Sequence, residues 1–238
     1  MRIKIIAVGS TRWQRFLRRW GVSFLIDADV LFDAFGHPAV FARNVRRYGV
    51  DLAAVRHVVI SHDDWDHIAG LELVLEHCRD AAVYVCPATG PEFKARIASC
   101  GARLVEVAPF LQIKEGIFTT GELAGRSKDK DVYEQSLVVK GPQGLVVVAG
   151  CAHPGIVPIV ARVKERFRQD VRLLIGGLHL KSAPPDEIAR TVAALRSLGV
   201  EEVAPMHCTG RRAVRAFAQA FGDRCLRLRP GDTLPLPK

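Results

Sequence analysis

Features that mark membrane-bound, secreted or multi-part chains are missing from this sequence. No run of about eighteen uncharged apolar residues occurs, which argues against a bilayer-crossing helix and any membrane partner. The opening MRIKIIAVGSTRWQ reaches charges and Trp13 before a signal-peptide core could form, so a soluble, cytoplasmic protein is expected. Six cysteines are present (78, 86, 100, 151, 208 and 225), but C-x-x-C is not, which supports neither a disulfide framework nor a zinc ribbon. Cys78, Cys86, Cys100 and Cys225 lie in apolar stretches and read as core residues. Low-complexity tracts, short-period repeats and long linkers are also missing, so residues 1–238 are expected to form a single domain. A hydrophobic content of 49% suffices for a full core.

What the chain has in excess is positive charge. The formal net charge of +9 favours an anionic partner, and part of it is grouped in TRWQRFLRRWG and ARNVRRYG. In the first group Trp13, Phe16, Leu17 and Trp20 recur at i, i+3, i+4 and i+7, which predicts an amphipathic helix docked by its apolar face with a solvated arginine face. A lid or anion-gathering role is the sharper alternative. Nucleic acid is the less favoured partner, because no aromatic-studded basic sheet, appended nucleic-acid module or arginine-rich tail accompanies the charge.

Short Val/Ile/Leu-rich runs alternate with helical patterns. IKIIAV, SFLIDA, VLFDAF, HVVIS, AVYVC and RLVEV read as strands, with helices over AVFARNVRRYG, LELVLEHC and PEFKARIASCG. Successive strands follow in FLQIKEG, IFTTGEL, SLVVKG and GLVVVAG, with GRSKDKD as a polar segment between them and PQG as a hairpin turn. The alternation resumes through IVPIVARVKERF, VRLLIGG, DEIARTVAALRSLG, EEVAPM and RRAVRAFAQAFG, ending in a short strand at RCLRLR. Two mixed sheets with helices on their outer faces, an α/β (α+β) arrangement, are expected.

His62, His153, His179 and His207 each follow the downstream end of such a strand. Ligands collect beyond the carboxyl ends of strands in layered α/β folds, so scattered histidines of this kind can converge. One alone would be an ordinary hydrogen-bonded residue, as His37, His57 and His77 are taken to be. Four together with HDDWDH point to metal, since imidazole and carboxylate are the common ligands of zinc, iron and manganese. His62 and Asp64 are two apart and share a direction in extended chain, with Asp63 and Trp65 pointing away. Asp66 and His67 stand at the turn into a helix, where Asp66 could cap the first turn and also ligate.

SHDDWDHIAG resembles the (S/T)-H-x-H-x-D-H-x-x-G signature of the metallo-beta-lactamase fold superfamily, and the order of elements follows it along nearly the whole chain. GCAHPGIV, IGGLHL and PMHCTG are similar to one branch, that of the dihydropterin-forming ribofuranosylaminobenzene 5'-phosphate synthase. The resemblance implies a four-layer αββα sandwich and two divalent ions, zinc first, with iron or manganese as alternatives. It implies that His62, Asp64 and His153 hold one ion and Asp66, His67 and His207 the other. Asp64 replaces the signature's second histidine, and its oxygen donor favours iron or manganese more than imidazole would. Cys151 stands where the superfamily usually has an aspartate bridging both ions: either His153 takes the ligand duty beside it, the reading preferred, or Cys151 coordinates as thiolate.

Such a centre implies a metal-dependent hydrolase, in which paired ions lower the pKa of water, Asp66 orients the nucleophile and His179 protonates the leaving group. Helix starts after His67, His153 and His207, with Pro154 at a first helical position, Thr209 as N-cap and Arg211 and Arg212 adding charge, point to a small phosphorylated or anionic substrate. The competing readings are a nuclease or phosphodiesterase and a non-catalytic metal-binding scaffold of the same fold. GELAGRSKDKD and TRWQRFLRRW are the segments expected to set specificity.

Overall fold

The computed structural model describes residues 1–78, 80–127 and 130–236. The chain begins with β1 (Arg2–Gly9), α1 (Arg12–Phe16), β2 (Gly21–Ile26), β3 (Val30–Phe32), α2 (Pro38–Arg47) and β4 (His57–Val59). Two short helices follow, α3 (Trp65–Ile68) and α4 (Leu71–His77), then β5 (Ala82–Val85), α5 (Pro91–Ser99) and β6 (Arg103–Glu106). A run of strands comes next: β7 (Leu111–Lys114), β8 (Ile117–Thr119), β9 (Leu123–Ser127), β10 (Lys130–Glu134), β11 (Leu137–Gly141) and β12 (Gly144–Ala149). The last part holds α6 (Ile156–Phe167), β13 (Val171–Gly177), α7 (Pro185–Ser197), β14 (Glu202–Met206), α8 (Arg211–Phe221) and β15 (Thr233–Pro235).

Seven strands form one mixed sheet in the order β15-β1-β2-β3-β4-β5-β6, and six form the other, β14-β13-β12-β11-β8-β7. The side-chain alternation of the strands explains why the sheets stack. In β12, Val146 and Val148 face the other sheet, while Leu145, Val147 and Ala149 face α6, α7 and α8. In the first sheet, Phe24, Phe32 and Val59 point between the sheets and Leu25, Leu31 and Val58 point towards α2, α4 and α5. Strands apolar on both sides must be covered on both sides, and the result is the expected αββα sandwich. Among the described residues, no helix is long and apolar enough to cross a membrane.

Four local expectations are corrected. Arg18, at φ +53°, ends α1 before Trp20, so the four-residue stripe is never completed on one helix; Trp13 and Phe16 are 68% and 75% exposed rather than docked. RCLRLR makes only an isolated bridge, Cys225 to Val203, and the edge strand is β15, paired antiparallel with β1. The polar segment GRSKDKD belongs to a two-stranded ribbon of β9 and β10, apart from Lys128 and Asp129, which lie outside the described residues. At the helix starts, α6 and α8 are capped by Gly155 and Gly210, not begun by Pro154 or capped by Thr209.

Phe32 is wholly buried between the sheets. Phe32→Ala should lower the unfolding free energy by about 3 to 5 kcal/mol, through lost transfer energy plus a residual cavity. Urea titration checks this: the midpoint should fall with little change in slope.

Candidate metal centre

Four strand ends meet at one edge of the sandwich. β4 leads to His62, β12 to His153, β13 to His179 and β14 to His207, while the short α3 carries Asp66 and His67. Close approach of the two sheets there requires glycine, since a Cβ on Gly150 would stand 2.2 Å from Ser61 Oγ; within the second sheet, one on Gly177 would stand 2.3 Å from the Gly150 carbonyl oxygen. Asp33, Ala152, His179 and His207 all adopt left-handed backbone, with φ between +51° and +61°. Such conformations cost energy for non-glycine residues and concentrate at functional sites.

Each of four imidazoles is held by its Nδ1. His67 Nδ1 donates to Asp33 Oδ2 at 2.6 Å, and His62 Nδ1 donates to Ser61 Oγ at 2.9 Å, whose hydroxyl donates in turn to Asp33 Oδ2 at 2.8 Å. His153 Nδ1 donates to Glu134 Oε2 and His207 Nδ1 to the Gly9 carbonyl, both at 2.9 Å. With Nδ1 engaged in this way, Nε2 is the nitrogen each ring has left for a metal, and His62 Nε2 is buried without a hydrogen-bond partner. A buried acceptor left open in that way, behind an anchored Nδ1, is the arrangement of a metal-ligating histidine.

The donor atoms fall into groups whose members lie within 4.8 Å of one another: His62, Cys151 and His153; His67, Cys151 and His207; and Cys151, His179 and Cys208. Asp64 Oδ2 is 3.5 Å from His62 Nε2, and Asp66 Oδ2 is 3.4 Å from Nε2 of both His67 and His207. The structure thus brings together all six residues expected as ligands, divided as the resemblance implied. It also places Cys151 and His153 in one group with His62, so both alternatives stand within reach of the same position. His37, His57 and His77 stay apart: His57 bonds the Tyr84 hydroxyl, and His77 is exposed against the Leu73 carbonyl.

The residues expected to contact an anion are placed elsewhere. Arg211 and Arg212 are exposed on α8, bordering other hollows, and Thr209 is fully buried, donating to the Met206 carbonyl and accepting from Leu178 N–H. The cleft over the histidines, of about 400 Å3, takes its positive charge from Arg15 and Lys181. Trp20 and Trp65 wall it, Trp65 against the expectation that it points away, and Ser127 reaches it from the ribbon. Asp63 does turn away, accepting from Gly90 N–H. His179 lies at the exposed rim, its ring 4.4 Å from that of His153.

Charge at the centre is finely divided. Burial disfavours an imidazolium at His67, but the Asp33 and Asp66 carboxylates outweigh it and raise its pKa well above the ordinary value. Burial likewise opposes ionisation of Asp66 and Glu134, yet the neighbouring histidines hold both carboxyls below the usual range. Burial and then the neighbouring Cys208 push the Cys151 thiol up. The Cys208 contact raises the pKa of His179.

Asp33, Glu134 and Cys208 are functional neighbours that the sequence reading missed. Asp33 had a signal, an acid ending the apolar run VLF, whereas Glu134 had none, because its role comes from bridging the ribbon to His153. Glu134 also accepts from the backbone N–H groups of Cys151, Ala152 and His153.

The model of the metallo-beta-lactamase superfamily matches residues 21–207, which include every one of the histidines above. The chain is 28% identical to 7,8-dihydropterin-6-methyl-4-(beta-D-ribofuranosyl)-aminobenzene-5'-phosphate synthase of Methanocaldococcus jannaschii, over 92% of this chain and 90% of that one. A second, uncharacterized protein of the same organism is 25% identical, over 91% and 94%. Among solved structures, Tm1679, described as a metal-dependent hydrolase of the beta-lactamase superfamily, superposes with a TM-score of 0.82 at 28% identity over the whole of both chains. The short form of human tRNase Z matches with a TM-score of 0.68 at 12% identity, also over the whole of both chains, a likeness of fold alone.

Glu134→Ala should destabilise the metal-free protein by about 3 to 5 kcal/mol, because it strands several buried donors at once. Since folding depresses the Glu134 pKa, its contribution is complete above the unfolded value of about 4.3 and is lost as pH falls through the lower folded value. Denaturation at a series of pH values should therefore show wild type and variant converging in acid.

Proposed function

The chain belongs to the metallo-beta-lactamase superfamily, and on that premise we propose that it is a metal-dependent enzyme holding two divalent ions and acting on a small phosphorylated or otherwise anionic substrate. The observation that carries this reading is the convergence of four Nδ1-anchored imidazoles, with Asp64 and Asp66 beside them, at the base of a cleft whose cations are Arg15 and Lys181. The donor set fits divalent ions: imidazole and carboxylate ligands in two clusters, each imidazole oriented by an outer hydrogen bond. When bound, such ions supply Lewis acidity and water that is deprotonated near neutral pH.

This chain's own residues provide the rest. Lys181 sits 4.6 Å above the Trp20 ring, and its pKa is lowered by burial and then by the nearby charges of Arg15 and Arg12. Like charges gathered in this way are relieved by an anion, which favours a phosphate group at that end of the cleft. Trp20 and Trp65 exclude water from the walls. Asp66, between His67 and His207, is placed to orient a nucleophile, and His179 at the rim is placed to hand a proton to a leaving group. Hydrolysis of a phosphoester is the simplest reaction of this class. A pterin-related synthase is the specific case suggested by the Methanocaldococcus jannaschii relative's name.

Elemental analysis after saturation with zinc, iron or manganese should find about two ions per chain, fewer in Asp64→Ala and His153→Ala. One ion or none, unchanged by Asp64→Ala, would favour a mononuclear centre or a scaffold. With a phosphoester substrate identified by screening, Lys181→Ala should raise KM about tenfold or more, from loss of a charge-assisted contact. His179→Ala should lower kcat by about 10²-fold or more without changing the ion count.

A further inference from the structure

Arg211, which the cleft over the histidines does not use, lines a separate hollow of about 370 Å3 between α8, the end of β14 and the segment 225–228. The backbone explains why a hollow forms there. The segment after α8 meets β14 as a parallel strand: Cys225 bridges Val203, and Leu226 N–H donates to the Val203 carbonyl at 2.7 Å. The next rung of a parallel ladder would run from the N–H of residue 205 to the Leu226 carbonyl, and Pro205 has no N–H to give. Pairing stops at one bridge, and the chains part around the hollow. On α8, Arg211, Val214, Arg215 and Ala218 recur at i, i+3, i+4 and i+7, one stripe of a helix, and all four line it. Leu226 and Leu228 line it as well, packed on the core between the sheets, with Arg227 exposed between them. The hollow thus joins an apolar lining to three exposed guanidiniums. No acid lines it, and RRAVRAFAQAF offers none along α8.

We propose that this hollow binds a small organic carboxylate with an apolar body, at a site apart from the metal centre. The proposal goes beyond the two-ion reading and does not depend on it. Three guanidiniums with no carboxylate among them repel one another, and a bound carboxylate relieves that while matching the guanidinium fork with paired hydrogen bonds. A bare inorganic anion would neutralise the arginines but leave Val214, Ala218, Leu226 and Leu228 facing water. An uncharged apolar molecule would do the reverse. A carboxylate on a hydrocarbon chain or ring satisfies both halves, and the volume falls within the range of about 300 to 1,000 Å3 typical of small-molecule sites. Arg211 therefore does stand at an anion site, but not at the one over the histidines. The hollow also touches Ser10, whose hydroxyl accepts from the His207 N–H at 2.9 Å, so an occupant would abut the backbone that carries His207.

Decanoate is the probe, titrated into the full chain below its micelle-forming concentration and followed by calorimetry. One site is expected, with decanol and inorganic phosphate each binding about tenfold or more weakly than decanoate. Arg215→Ala combined with Arg227→Ala should weaken decanoate about tenfold or more. Ala218→Trp, which fills the hollow, should abolish binding, and Lys181→Ala, which alters the cleft, should leave it unchanged. Binding lost in Lys181→Ala would place decanoate in the cleft, and binding untouched by the α8 variants would place it elsewhere, as on the exposed Trp13 and Phe16; either overturns the proposal. So would phosphate or decanol binding as tightly as decanoate, or no binding at all. A dimer found by sedimentation and dissociated by Ala218→Trp, with no decanoate bound, would make the hollow an interface between copies of the chain and overturn it too. Arg215 and Arg227 are exposed, so the arginine variant decides the matter even if Ala218→Trp does not fold. None of these outcomes bears on the ion count.

Discussion

Asp33 accepts hydrogen bonds from Ser61 N–H, Ser61 Oγ and His67 Nδ1 while completely buried, and through them it fixes the two imidazoles of the HDDWDH segment. An isolated carboxylate in that position would cost several kcal/mol. Three donors, one of them the His67 imidazole, make it tolerable, and removing any one of them would leave the charge underpaired. Glu134 plays the same part for His153 and for the backbone of residues 151–153. The centre is therefore two buried acids, each organising part of a histidine cluster, with the Gly9 carbonyl holding His207 in place of a third.

That arrangement couples the site to the fold. Asp33 follows β3 and Ser61 follows β4, so their contact joins neighbouring parallel strands of the first sheet. Glu134 closes the β9–β10 ribbon against the strand ends of the second sheet, and a Cβ on Gly125 would collide with the His153 carbonyl carbon at 2.3 Å. The left-handed residues Asp33, Ala152, His179 and His207 carry strain that only a fully packed surrounding sustains. The neighbouring carboxylates favour a protonated His67, so a cation held there as proposed would have to displace a proton and would bind less tightly in acid.

Much of this was legible in the sequence. Strand runs such as LVVVAG and VRLLIGG declared themselves by apolar continuity, and histidines following strands betrayed the convergence, because strand ends on one side of a sheet are neighbours whatever their separation along the chain. The division of HDDWDH into Asp64 beside His62 and Asp66 beside His67 followed from local spacing. Long-range polar pairing left no such trace. Glu134 to His153 and Gly9 to His207 span different elements and carry no periodicity, so neither could be read. Arg211 and Arg212 lie away from the cleft for a related reason: a helix start beside His207 fixes nearness in sequence, while Gly210 turns α8 so that both border other hollows. Trp20 went astray because a single left-handed residue, Arg18, cuts a helical pattern whose spacing was otherwise regular.

The claim that anchored imidazoles converge to hold a pair of ions is tested most directly by anomalous X-ray diffraction from crystals of the zinc-loaded protein. Two zinc peaks are expected, one against Nε2 of His62 and His153 and one against Nε2 of His67 and His207, with all four Nδ1 bonds intact. A single peak outside the histidine cluster, or zinc bound through Nδ1 with the bonds to Asp33 and Glu134 broken, would contradict the account.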